Sequence, residues 1–281
     1  MKKKILAILL AVSMLVVVGC SSKDKENGTT ETTGAATTSE EKLEKIKVGA
    51  TATPHGEILE ALKEDFKAEG LEVEVVDFDD YVMPNIALDS GDIDANFFQH
   101  KQYLEQENDE KGYDFVVAGE IHVEPMGFYS TKYKSLDELP EGAEILIPDD
   151  PTNGGRALLL LEKNGLIKLD DSTNLSATKE NVAENPKNLK FTALQAVNIP
   201  SAYVDVDGAV INSNYALTVD LNPLKDSIVT EGNDSPYVNI VAVKSENKDN
   251  ENIKKLVKVM TSEKCKKFIE EKYEGAVVPA F

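Results

Sequence analysis

Arginine occurs once in 281 residues, histidine three times and cysteine twice. Each shortage removes a class of function. Cys20 closes an N-terminal apolar run and Cys265 lies near the C-terminus, so no disulfide framework is available. Cys265 is expected as a small buried residue on a C-terminal helix. His55, His100 and His122 are never three or four residues apart, which denies the chain the spacing of a helical zinc motif. Neither a G-x-S-x-G elbow nor a G-x-x-x-x-G-K-[ST] loop is present, so no serine-hydrolase triad and no P-loop is expected. Lys and Arg number 30 against 50 Asp and Glu, a formal net charge of −20. That balance argues against nucleic acid and against adhesion to anionic lipid through charge. Beyond the N-terminus no stretch comes near the ~18 consecutive apolar residues that mark a membrane span.

What is present begins with that N-terminal run. Lys2, Lys3 and Lys4 precede Ile5–Val18, an apolar run too short for a span, and Gly19 stands before Cys20. Residues 1–19 read as a secretory signal peptide. The cysteine in this place resembles the lipobox of bacterial lipoproteins, which implies that Cys20 is acylated and becomes the mature N-terminus. Its lipid anchors the protein to the cell membrane on the extracytoplasmic face without spanning it. Loss of residues 1–19 removes three lysines and no acids, moving the charge from −20 to −23. Residues 20–43 are rich in Ser, Thr, Gly, Glu and Lys, too polar to bury a core, and are expected to be a flexible tether.

About 240 residues remain, in which short β-rich runs alternate with helical periodicity. KIKVGAT (45–51), LEVEVVDF (71–78), EILIP (144–148), GAVINS (208–213) and YVNIVAV (237–243) read as strands. Residues 57–68, 81–90, 103–111, 155–164 and 249–273 read as helices, the last broken near Thr261–Ser262. The alternation predicts an α/β fold with sheets covered on both faces. Two series of this kind predict two lobes joined by two crossover strands, 44–128 with 239–281 as one lobe and 129–238 as the other. Ligands of open α/β sheets bind beyond the carboxyl ends of strands. The stretches DDY, FFQH, DDPTNGGR and INSNY all follow strands, which points to a shared cleft.

In DDPTNGGRALLLL (149–161) the helix is expected to start around Gly154–Gly155, with the glycines letting a ligand approach backbone N–H groups. Arg156, the sole arginine, then falls in the first turn, where a guanidinium holds a carboxylate through two parallel hydrogen bonds. A glycine turn with a surface arginine is the structural alternative. His100 in DANFFQHKQYL (94–104) reads either as a satisfied core histidine or as a pocket wall. Tyr81 and Phe98 would flank an apolar side chain, and a thioether gains from such aromatic contacts. Phe97, one residue earlier on the strand, is expected to point into the core. Asn212 and Asn239 are amides within apolar strands and must find partners, from a ligand or from the protein. DVDG (205–208) lacks the acids of a calcium loop and reads as a turn before a strand.

Taken in order, GATATPHGEILE, YVMPNIALDSGDIDANFFQHKQYL, DDPTNGGRALLLL, ENPKNLKF, AVINSNYAL and SPYVNIVAVKSENKDNENIKKLV resemble the methionine-binding lipoproteins of the NlpA family, over essentially the whole chain after the tether. The resemblance implies a two-lobed periplasmic-binding-protein-like fold (type II) that closes on its ligand by hinge motion. It implies no enzyme activity and no cofactor or metal. It also implies capture of L-methionine, with D-methionine and related amino acids as neighbouring candidates, and delivery to an ABC importer's permease and its ATPase. Carried over residue by residue, Arg156 grips the α-carboxylate. Asn212 and Asn239 bind the amino-acid backbone groups, and Tyr81, Phe98 and His100 line the side-chain pocket. Gln102 stands where relatives often have proline. Another amino acid, a methionine derivative or a short peptide is the competing ligand, and a metal receptor or an adhesion lipoprotein the competing class.

Overall fold

The computed structural model describes residues 43–232 and 234–281. The signal peptide, Cys20 and most of the tether lie outside these residues. The chain opens with β1 (Glu44–Ala50), a helical stretch in two pieces, α1 (Glu57–Ala61) and α2 (Lys63–Ala68), and β2 (Leu71–Asp77). Then come α3 (Met83–Ser90), β3 (Ala95–His100), α4 (Lys101–Lys111) and β4 (Phe115–Val123). The second series comprises β5 (Gly127–Tyr129), β6 (Glu144–Pro148), α5 (Pro151–Lys163) and a small ribbon of β7 (Lys168–Leu169) and β8 (Val182–Glu184). It continues through β9 (Lys190–Leu194), α6 (Ile199–Ala202), β10 (Gly208–Ile211), α7 (Ser213–Leu217) and β11 (Val229–Thr230). The chain returns through β12 (Val238–Lys244), α8 (Glu251–Met260), α9 (Glu263–Tyr273) and β13 (Val278–Pro279).

Two sheets result, and they share a strand order. The first runs β2-β1-β3-β12-β4-β13 and the second β9-β6-β10-β5-β11. In each, three parallel strands meet an antiparallel one, β12 against β3 and β5 against β10. Each antiparallel strand is the one by which the chain enters that sheet from the other. The changes of sheet fall at 124–126 and 231–237; Gly127 and Phe128 already pair in the second sheet and Val238 in the first, slightly ahead of the expected boundaries.

Strand alternation sorts the cores. Val241 and Val243 face the cluster under α1, α2, α8 and α9, while Ile240 and Ala242 face the one under α3 and α4. In the second lobe Ile145 and Ile147 pack under α5, and Leu146 packs on the opposite face with Ile199 and Tyr215. Phe97 is fully buried in the first cluster, and so is Cys265, whose thiol burial pushes up to about 12.

Three local expectations need correction. β3 extends through His100, so FFQH is the strand's buried end and not a loop beyond it. Asn212 lies one residue past β10, at the N-cap position of α7. The helix expected from Gly154–Gly155 begins at Pro151. Asp150 caps it by accepting from the Asn153 N–H at 2.8 Å, and Pro151 supplies the fixed φ of a first helical residue. The two glycines therefore lie inside the helix and serve close packing. A Cβ on Gly155 would stand 2.5 Å from the Leu175 carbonyl oxygen and 2.8 Å from the Ala177 nitrogen. Those are backbone atoms with nowhere to go, so Gly155→Ala is expected to cost about 1–3 kcal/mol of stability by overpacking. Urea denaturation measures it, and an unchanged midpoint would refute the packing account.

Candidate functional site

The carboxyl ends of β1, β3, β6 and β10 all point into the space between the sheets, where the strand order reverses in each lobe. A small cleft lies there, at the kind of lobe interface where small-molecule sites occur. Tyr81, Phe98, His100, Arg156, Asn212 and Asn239 all line it, together with Gln99, Tyr103, Glu124, Asn153, Ser213 and Asn214. Of these last six, Gln99, Asn153, Ser213 and Asn214 belong to the stretches expected at the cleft, while Tyr103 and Glu124 fall outside them. Gln102 lies outside, donating to the Pro236 carbonyl at 3.0 Å.

A relay of side chains runs from the α5 cap across the cleft. Asp150 accepts from the Asn153 amide nitrogen at 3.0 and 3.1 Å, which turns the Asn153 oxygen outward. That oxygen accepts from Asn212 Nδ2 at 2.8 Å and from His100 Nε2 at 3.3 Å, so the second lobe meets the first. His100 Nδ1 accepts from the Tyr103 N–H at 3.1 Å and caps α4, which places its remaining proton on Nε2. His100 is thus both a satisfied histidine and part of the cavity wall. Asn212 Oδ1, the other end of that amide, is buried without a partner among the described residues.

Arg156 is buried, and its fork is occupied. Nε and Nη2 donate to the two Glu231 oxygens at 2.8 and 2.6 Å, and Nη2 also donates to the Glu124 carbonyl at 2.7 Å. The Tyr237 ring lies 4.4 Å from its guanidinium carbon. The two parallel hydrogen bonds expected toward a ligand go instead to Glu231, because α5 starts early and carries Arg156 to the second crossing. What remains for the cavity is the Nη1 end of a guanidinium held rigid on its other edge.

Glu124 sits at the first crossing with 6% exposure. Its Oε1 accepts from His122 Nε2 at 2.7 Å and lies 3.2 Å from His55 Nε2, which also reaches Asn239 Oδ1 at 3.1 Å. Thr51 holds His55 from the other side, Oγ1 to Nδ1 at 2.7 Å. Burial alone would push the Glu124 carboxyl up; the His55 and His122 imidazoles and the Arg156 charge outweigh it and hold the group below its usual range. The carboxylate is therefore ionised, and its Oε2 is left for the cavity. His55, His122 and Glu124 place potential ligand atoms within 4.8 Å of one another, a cluster that spacing along the chain did not reveal. Their hydrogen bonds account for the arrangement as a cradle for one carboxylate.

Burial lowers two imidazoles of the site: His55, behind the lining, to about 4, despite the opposing Glu124 charge, and His100, in the lining, to about 3, assisted by the Arg156 charge. Below the ordinary value of 6.5 the unfolded chain takes up protons that the folded chain refuses. Each group therefore costs about 1.4 kcal/mol of stability per pH unit on acidification from 6.5, and nothing above it. Unfolding free energy should fall between pH 6.5 and 5, and His55→Gln should flatten that slope by about one histidine's worth. Equal slopes in wild type and variant would remove His55 from the account.

Two lobes of like strand order closing on a cavity with charges of both signs define a solute-binding protein of the periplasmic-binding-protein-like fold. A model of the NlpA lipoproteins matches residues 46–281, and the chain belongs to the NlpA lipoprotein family. The D-methionine-binding lipoprotein MetQ of Escherichia coli (strain K12) is 41% identical over 279 residues, 98% of this chain and 97% of that relative. Among solved structures, a nutrient-binding protein from Burkholderia cenocepacia bound to methionine is 48% identical with a TM-score of 0.82, over 84% of this chain and 100% of the other. A periplasmic substrate-binding protein of an ABC transporter from Coxiella burnetii is 41% identical, with a TM-score of 0.80 over 84% and 100%.

Proposed function

We propose that this protein is an extracytoplasmic solute-binding lipoprotein that captures free methionine in the interlobe cavity and delivers it to the permease of an ABC importer. The observation that carries the reading is the pairing of opposite charges on one small cavity wall, the Arg156 guanidinium and the ionised Glu124, beside the rings of Tyr81 and Phe98. A zwitterionic amino acid matches it. Its α-carboxylate faces Nη1 of Arg156. Its ammonium donates to Glu124 Oε2 and to Asn212 Oδ1, the acceptor that has no protein partner. Asn239, fixed by His55, closes the polar end, and His100 is a shaped contact with its donor already committed. Tyr81 and Phe98, with ring centroids 6.0 Å apart, would receive the thioether.

The reading asks no chemistry of the ligand. It places the anchor at Cys20 and the folded lobes outside the cytoplasm; no described helix is long and apolar enough to cross a membrane. Calorimetry on protein lacking residues 1–20, unfolded and refolded to strip bound solute, tests it directly. L-methionine should bind with one-to-one stoichiometry, and a panel including D-methionine, methionine sulfoxide, leucine and Met-containing dipeptides should bind more weakly or set the stereochemical preference. The absence of heat with both methionine enantiomers would sink the proposal.

A further inference from the structure

The cavity wall at Tyr81 is held by the second lobe, both from within the lining and from behind it. Tyr81 belongs to the first lobe, on the loop between β2 and α3, yet its ring packs against the second lobe's apolar cluster. Its hydroxyl donates to Asn214 Oδ1 at 2.6 Å, and its ring lies 4.9 Å from that of Tyr215. Tyr215, on α7 of the second lobe, is not part of the cavity lining. It is 6% exposed, and its hydroxyl donates to the Asp79 carbonyl at 3.0 Å. Neighbouring residues of α7 thus take hold of both ends of the first lobe's segment 79–81.

We propose that Tyr215 is a positioning residue for solute retention: by fastening segment 79–81 to α7 it holds the lobes together over the ligand and sets how long the ligand stays. The inference rests on the cavity being the methionine site. When the lobes part, the Tyr215 hydroxyl and the Asp79 carbonyl pass from each other to water, so the bond favours the closed state only. Encounter of solute with an open cleft does not use it. The signature is therefore in the dissociation rate, where differences among related complexes mostly reside. A single such hydrogen bond contributes roughly a 2- to 10-fold change in an equilibrium.

The test is stopped-flow measurement of methionine association and dissociation on refolded wild type, Tyr215→Phe and Lys225→Ala. Tyr215→Phe keeps the ring in its apolar cluster and removes only the hydroxyl. It should raise the dissociation rate about 2- to 10-fold, leave the association rate within about 2-fold and leave the melting temperature of ligand-free protein unchanged. Lys225 makes the other kind of lobe-to-lobe contact, an exposed pair with Glu274 at 2.9 Å, and exposed pairs contribute little. Its removal should leave both rates unchanged. A Tyr215→Phe dissociation rate equal to wild type overturns the inference. So does an equal effect of Lys225→Ala, or a fall in ligand-free stability matching the loss of affinity. A wild type that does not respond to methionine overturns the solute reading and the retention role with it.

Discussion

Arg156→Ala should weaken methionine binding by about 2–5 kcal/mol, roughly 30- to 4,000-fold, and should destabilise the ligand-free protein as well. The two losses have separate origins. In the cavity the ligand carboxylate loses its only cationic partner among the described lining residues, inside a closed space where water cannot replace it. Behind the cavity Glu231, 12% exposed, loses its bidentate partner and keeps only the Met126 N–H and the Ser235 hydroxyl, at a cost of about 1–3 kcal/mol. A double variant, Arg156→Met with Glu231→Leu, separates them. Replacing both members of the pair by apolar groups removes the unpaired charge, so the double variant should recover most of the stability lost in Arg156→Ala and still fail to bind. Calorimetry and urea denaturation on the three proteins give both quantities. Restored binding in the double variant would show that Arg156 acts only through Glu231.

Glu124→Gln should be nearly as severe for binding and much milder for the fold. The amide oxygen still accepts from His122 and His55, so the cradle persists, but the negative charge that meets the ammonium is gone. A loss of about 2–4 kcal/mol of affinity is expected. The direction of the Glu124 shift adds a pH signature. Because the carboxyl is held below its usual range, wild-type binding should persist down to the region where free carboxyl groups titrate. The Gln variant should be weak at every pH in that range. A Gln variant that binds as wild type would move the ammonium to Asn212 and Asn239 alone.

How much of this was legible in the sequence differs by element. The paired strand series and the two crossings followed from hydrophobic periodicity. Of the six named pocket residues, Tyr81, Phe98, His100 and Asn212 lie at or just past the carboxyl ends of strands, Arg156 follows β6 on α5, and Asn239 lies at the amino end of the antiparallel β12. Arg156 stood out through composition alone. Its true partner, Glu231, did not: it lies 75 residues away in a polar loop among dozens of other acids, and only the α5 start at Pro151 brings the two together. Glu124 was hidden for a related reason. In the run His-Val-Glu-Pro its significance depends on His55, which arrives from the loop after β1. The glycines of α5 misled because a glycine pair reads as a helix boundary, whereas here tight packing against the Leu175 carbonyl requires them inside the helix. Pairings of this kind are properties of topology, and no local window contains them.

The two crossings, 124–126 and 231–237, each bring an acceptor to the same arginine: Glu231 its carboxylate and Glu124 its backbone carbonyl, with the Ser213 hydroxyl donating to the Pro125 carbonyl beside them. The two connections between the lobes are therefore tied into the charge balance of the cavity. A solute that supplies an ammonium and a carboxylate completes that balance at the connections themselves, and so stiffens the joint as well as filling the space. A solute of the right size but the wrong charges would occupy the cavity and leave the joint slack. Discrimination in such a receptor would then be mechanical: a permease could recognise the set angle of the lobes without sensing the solute at all.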